Sequence, residues 1–184
     1  GYIAVQQRGL WGYLDPKTGA LIGAGCVWES ALPFSEGNAG VSLEDKAGFI
    51  NASGTAVINL QFDKVASFSE GLAAVRIKKR WGFINAKGVV TIPASYAAAQ
   101  TFQNGLCAVQ KGSAWGLINA KNEVVLRIKY SEIGSFDPIY HRAWIRQNKL
   151  WGLVSSAGTI VLKPAWATHD EFSANTLCRV SYKK

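Results

Sequence analysis

The sequence contains no methionine, only three cysteines and two histidines, and twelve acidic residues against twenty basic ones. Each shortage removes a class of function. Cys26, Cys107 and Cys178 are too few to staple a 184-residue chain, and their odd number argues against a complete disulfide framework. They favour a reducing compartment, whereas a periplasmic or surface location would require a signal segment already removed. His141 and His169 have no cysteine or paired carboxylate at metal-ligand spacing, so neither a metal nor a cofactor is expected. No apolar run approaches the ~20 residues that a membrane-spanning helix needs. A glycine-rich phosphate loop and a serine nucleophile elbow are also missing, and the chain is read as a non-enzyme with no catalytic residues.

What is present is periodic. Trp-Gly occurs at Trp11-Gly12, Trp81-Gly82, Trp115-Gly116 and Trp151-Gly152, with a degenerate copy at Ala47-Gly48, and the steps between copies are 36, 34, 34 and 36 residues. A fixed period of this size marks a tandem array of one small supersecondary unit. The units run 11–46, 47–80, 81–114, 115–150 and 151–184, and residues 1–10 match the end of a unit. The chain is therefore expected to begin partway through a unit and to belong to a longer protein.

Within a unit, Trp81-Gly82-Phe83-Ile84 reads as a strand, Asn85-Ala86-Lys87-Gly88 as a type I turn closed by a residue at positive φ, and Val89 to Pro93 as a second strand. A connection follows with two aromatic columns, Trp28, Phe62, Tyr96, Tyr130 and Trp166, then Phe34, Phe68, Phe102, Phe136 and Phe172. A third strand passes through Val41, Val75, Val109, Ile145 and Val180. The β-branched pairs and the glycine of every copy are poor helix material. The expectation is an all-β chain, an open tandem array of about five three-stranded antiparallel units; the alternative is a closed propeller-like ring.

The recurring Trp-Gly-aromatic-aliphatic-Asn strand, the Gly turn, the Phe-Ser-Glu-Gly connection and the Leu-Ala-Ala-Val strand resemble the bacterial WG-repeat (KWG-repeat) family. That resemblance covers the whole chain and is strongest in units 47–80 and 81–114. It implies a β-rich repeat domain, found alone or attached to other domains, whose general role is binding. It brings no catalytic residues with it.

Aromatic residues retained in every unit are what stacking of the fold demands, so function is sought among the exceptions Tyr2, Tyr140, Trp144 and Tyr182. Trp144 stands where the other units place Ala4, Gly40, Ala74, Ala108 or Arg179, and Tyr140, Arg142, Trp144 and Arg146 form the most distinctive candidate patch for a protein or peptide partner. The simpler reading of Trp144 is a filler for the longer fourth unit. Net charge is +8, and the third-strand segments hold most of the basic residues. Lys78, Lys79 and Arg80 lead a stripe suited to an anionic polymer such as nucleic acid or envelope polysaccharide; the simpler reading is a solvated face with lysines guarding strand edges. The expected function is a non-catalytic binding scaffold, with attachment to an anionic polymer or service as the accessory domain of a larger enzyme as alternatives.

Overall fold

A computed structural model describes residues 1–169 and 180–182. The described residues form strands and turns without helix. Two compact units, Gly1–Tyr96 and Ala97–Lys184, divide the chain. The first holds a two-stranded sheet, β1 (Ile3–Gln7) and β2 (Leu10–Leu14), then two four-stranded sheets. These are β3 (Ser30–Ala31), β4 (Asn38–Leu43), β5 (Lys46–Asn51), β6 (Ala56–Phe62), and β7 (Lys64–Val65), β8 (Leu72–Ile77), β9 (Arg80–Asn85), β10 (Val90–Tyr96). The second unit holds β11 (Ala98–Ala99), β12 (Leu106–Lys111), β13 (Ala114–Asn119), β14 (Val124–Tyr130) in one sheet. Its other sheet is β15 (Glu132–Ile133), β16 (Arg142–Gln147), β17 (Leu150–Ser155), β18 (Ile160–His169), β19 (Val180–Tyr182). Every pairing is antiparallel between chain neighbours.

Two features depart from the three-stranded units read off the sequence. Each full sheet has a further strand of two residues just after the first aromatic column, as where Lys64↔Arg76 and Val65↔Val75 pair. Two residues are too few to show alternation in a sequence. In addition, the sheet is offset from the repeat: the third strand of one unit pairs with the Trp-Gly strand of the next, Val75↔Gly82 and Arg76↔Trp81. A two-residue hairpin joins these strands, so they can only pair with each other. The partial unit at the start is accommodated in the same way, since β1 pairs along its length with β2.

The sequence-predicted turn is present. Gly88 N donates to Asn85 O at 2.9 Å, the Asn85 carboxamide oxygen accepts from Lys87 N and Val89 N at 3.0 and 3.1 Å, and Gly88 has φ 77°. Asn51 repeats the arrangement, and in the fourth unit Asn122 takes the positive φ at 66°.

The glycine of Trp-Gly has a different duty, which the pairing explains. Ile92 pairs with Phe83 and Tyr96 with Trp81, so Pro93, Ala94 and Ser95 arch as a bulge over Gly82 alone. A Cβ at Gly82 would lie 2.5 Å from the Ile92 carbonyl oxygen and 2.7 Å from Ala94 N. The same crowding recurs at Gly48 under the Ile58 carbonyl and at Gly152, 2.5 Å from that of Leu162. Only glycine lets the bulged strand approach. The bulges, with Pro93 on β10, also roughen strands at the sheet edge.

Sheets pack face to face within each unit, their cores built from the repeated positions. In the first, Phe49, Ile58 and Phe62 of one sheet meet Ala73, Val75 and Ile84 of the next, with Phe68 between them at 4.7 Å from the Phe49 ring. Tyr13 does the same at the preceding pair of sheets, 4.8 Å from Phe34 and donating its hydroxyl to Leu32 O. In the second, Leu117, Leu126, Tyr130, Phe136 and Ile145 share one cluster. Phe172, Cys178, Arg179, Lys183 and Lys184 lie outside the described residues.

Candidate functional site

The repeated residues are consumed by the frame: Tyr13, Phe49, Phe68, Phe83 and Phe102 are all at most 2 % exposed. What the frame displays is its hairpin tips. Between third strand and Trp-Gly strand the pairs Glu44-Asp45, Lys78-Lys79 and Asn148-Lys149 all have φ between 48° and 65°, and Arg8-Gly9 has 53° and 86°. Positive φ at both central positions is the type I′ turn, whose twist matches the flanking strands. The backbone is thus repeated at these four tips while the side chains differ, and the tip at Gly112-Ser113 departs from it with positive φ at Gly112 alone. Lys78, Lys79 and Arg80 are exposed together on one tip.

The Ser-Glu-Gly turns are likewise structural. Glu36 and Gly37 have φ 50° and 82°, and the turn reaches forward to the next sheet. Ser35 Oγ donates to Phe68 O at 2.7 Å, and the Glu36 carboxylate accepts from Gly71 N at 3.0 Å. In the second unit Gln103 Oε1 accepts from Phe136 N at 3.0 Å. Side chains at corresponding turns therefore register consecutive sheets.

The fourth-unit patch separates into buried and displayed parts. Trp144 is 6 % exposed. Its ring stacks on that of His169 at 4.2 Å, and His169 meets Trp151 edge-on at 4.3 Å. Trp144 is thus packing, which corrects its place in a contact patch: on β16 its neighbours Ala143 and Ile145 fill the other face of the sheet, and His169 covers this one. Arg146 pairs with Glu132 at 3.5 Å and lies 5.0 Å from the Trp151 ring centre. Tyr140 and Arg142 remain exposed, Tyr140 at 45 %.

Sequence reasoning missed Ile139, 56 % exposed beside Tyr140. Asp137 holds the loop, its carboxylate accepting from Ile139 N at 2.9 Å and Tyr140 N at 2.7 Å, and its carbonyl accepting from His141 N at 2.9 Å. The signal was present as Asp137-Pro138 in the longer unit, a turn-setting pair. Cys107 is buried, and desolvation pushes its thiol up to about 12; Tyr13 is raised to about 12 for the same reason. Both groups are therefore protonated and inert at neutral pH.

No curated protein matches the chain. Among solved structures it is similar to Hsv2 of Kluyveromyces lactis, 14 % identical with TM-score 0.57, covering 88 % of this chain and 62 % of that one. Hsv2 of Kluyveromyces marxianus is 11 % identical with TM-score 0.56, covering 84 % and 56 %. The WD40 β-propeller domain of Doa1 is 14 % identical with TM-score 0.45, covering 87 % and 64 %. The chain spans about 60 % of the Hsv2 chains. The Hsv2 likeness is one of fold alone. The WG containing repeat matches residues 48–81, 81–113 and 115–151, more than half of the sequence. On that match, and on the bulge that makes each of its glycines obligatory, the chain belongs to the family of WG containing repeats.

Proposed function

We propose that the chain is a non-catalytic scaffold that presents its repeat surface to a protein or peptide partner. One observation supports this reading above others: the repeated aromatic columns are buried, and the side chains displayed on the hairpin tips differ from copy to copy. A constant backbone carrying variable side chains is how repeat folds build recognition surfaces. The Ile139, Tyr140 and Arg142 loop displays two large side chains at its surface, Ile139 and Tyr140, and Asp137 holds it in one shape, which lowers the entropic cost of binding.

A photo-cross-linking residue placed at Ile139 tests the reading in an extract of the source cells. Cross-linking to a defined polypeptide that disappears with Tyr140→Ser and Arg142→Glu, at unchanged melting temperature, is the expected result. Cross-linking indifferent to those changes overturns the surface assignment. The second reading, an anionic polymer bound by Lys78, Lys79 and Arg80, is favoured by their joint exposure on one tip. It requires retention on heparin that falls with salt from ~50 to ~200 mM and is lost when the three charges are reversed. Retention indifferent to both removes it.

A further inference from the structure

One cross-strand pair recurs from sheet to sheet, between the two-residue strand and the strand that follows it: Ser30↔Ser42, Lys64↔Arg76, Ala98↔Gln110 and Glu132↔Arg146. Two copies carry an arginine on the longer strand, and they differ in what stands opposite. Arg146 meets a carboxylate, that of Glu132 at 3.5 Å. Arg76 stands opposite Lys64, a second cation, and like charges directly opposite each other weaken a strand pair. Among the described residues no carboxylate forms an ion pair with Arg76. Its Nε is withdrawn from solvent without a hydrogen-bond partner.

Arg76 and Lys64 line a cleft of about 680 Å³ between the sheets β3 to β6 and β7 to β10, within the ~300–1,000 Å³ of ligand sites. The equivalent pair of the preceding sheet lines it too, Ser30 and Ser42, with hydroxyls 2.6 Å apart. The Asp63 carboxylate is already engaged, by Lys46 Nζ at 3.7 Å and by Lys79 N at 3.1 Å. Glu29 and Asp45 are exposed at the cleft, and neither pairs with Arg76. An arginine and a lysine thus share the cleft with two hydroxyls and without an internal anion on the arginine. Burial of Nε has already stripped the guanidinium of part of its hydration, so an arriving anion displaces less water there and meets a charge less screened than at an open surface.

We propose that this cleft receives the carboxylate of an aspartate or glutamate side chain carried by a partner polypeptide, which completes at Arg76 the ion pair that Glu132 completes at Arg146. The proposal rests on the scaffold reading and names the chemistry of a partner at a second place on it. The sheet β15 to β19 argues for the occupant, since the same register there sets an arginine against a carboxylate supplied by the chain itself. The planar guanidinium matches the two oxygens of a carboxylate, and the serine hydroxyls can donate to it or accept from the peptide N–H groups beside it.

The test titrates the whole chain with N-acetyl-Gly-Glu-Gly-amide, following amide shifts by NMR, with the Gly-Gln-Gly analogue, acetate and inorganic phosphate as comparison probes. A single ion pair at a half-exposed arginine gives binding in the millimolar range. The expected result is saturable shifts centred on Ser42, Lys64 and Arg76, absent with the glutamine analogue and weaker with acetate. Arg76→Gln removes the receptor, and Lys64→Glu supplies the carboxylate from the chain, as Glu132 does for Arg146; affinity should fall about tenfold or more in each. In Lys87→Gln, which removes one charge from an exposed turn outside the cleft, affinity should stay within about twofold. If Arg76→Gln does not fold, Lys64→Glu decides, because that side chain is exposed. Absence of saturable shifts, affinity unchanged in Lys64→Glu, or an equal fall in Lys87→Gln overturns the proposal. Acetate binding as tightly as the tripeptide overturns the polypeptide source, and phosphate binding more tightly than the tripeptide overturns the carboxylate. Failure here is distinguishable from failure of the scaffold reading, which is read at Ile139, Tyr140 and Arg142 in the other unit.

Discussion

At the scale of single residues, the two members of the repeated pair do different work. The tryptophans are half-buried and face a second aromatic across the strand pair, Trp81↔Tyr96 and Trp115↔Tyr130, whereas the glycines lie under the bulge of the neighbouring strand. Gly82→Ala should therefore cost about 3 kcal/mol, since the clash is with backbone that must move, and chemical denaturation would show the midpoint falling without a change of slope. An alanine at exposed Gly71, which has φ 77° and nothing within 4 Å of its Cβ position, meets only backbone strain of about 1 kcal/mol. Trp144 gives a second contrast: with the side chain 6 % exposed, Trp144→Ala should destabilise by about 3–5 kcal/mol while leaving partner cross-linking at Ile139 intact at a temperature where the variant is folded.

The hairpin tip is the informative element. Lys78 and Lys79 hold φ 48° and 65°, a conformation that residues with a Cβ adopt at a cost of about 1 kcal/mol each. Asn-Gly suits the same turn without that cost. Lys78→Asn with Lys79→Gly should raise stability by about 1 kcal/mol, read as a higher melting temperature, and should lower heparin retention if the polymer reading holds. The tip length was legible in the sequence only indirectly, as the constant distance from each third-strand valine to the next Trp-Gly. The offset between sheet and repeat unit was not legible, because period alone cannot say where one sheet ends. The two-residue strands β3, β7, β11 and β15 were equally hidden, since nothing in Ser30-Ala31 or Ala98-Ala99 marks them as paired.

Across the molecule, burial of titratable groups makes stability depend on pH at the alkaline end. The Cys107 thiol moves from an ordinary 9.0 to about 12 and the Tyr13 hydroxyl from 10.0 to about 12. Both hold their protons more tightly folded than unfolded, so the stability they contribute is fully present below about pH 9 and is lost as pH rises through about 12. Melting temperatures measured from pH 8 to 11 should fall progressively, and Cys107→Ala should flatten the part of the fall that begins near pH 9. A profile unchanged by that substitution would assign the alkaline loss to Tyr13 and to other groups.

Sequence by itself determined the period, the all-β character, the Asn-to-Gly turns and the aromatic columns, because each depends on short-range chemistry repeated at fixed spacing. Tertiary structure decided two things that spacing cannot carry. It buried Trp144, which composition made conspicuous, by stacking it on His169 from a strand distant in sequence. It exposed Ile139, an ordinary apolar residue, by lifting it on a loop.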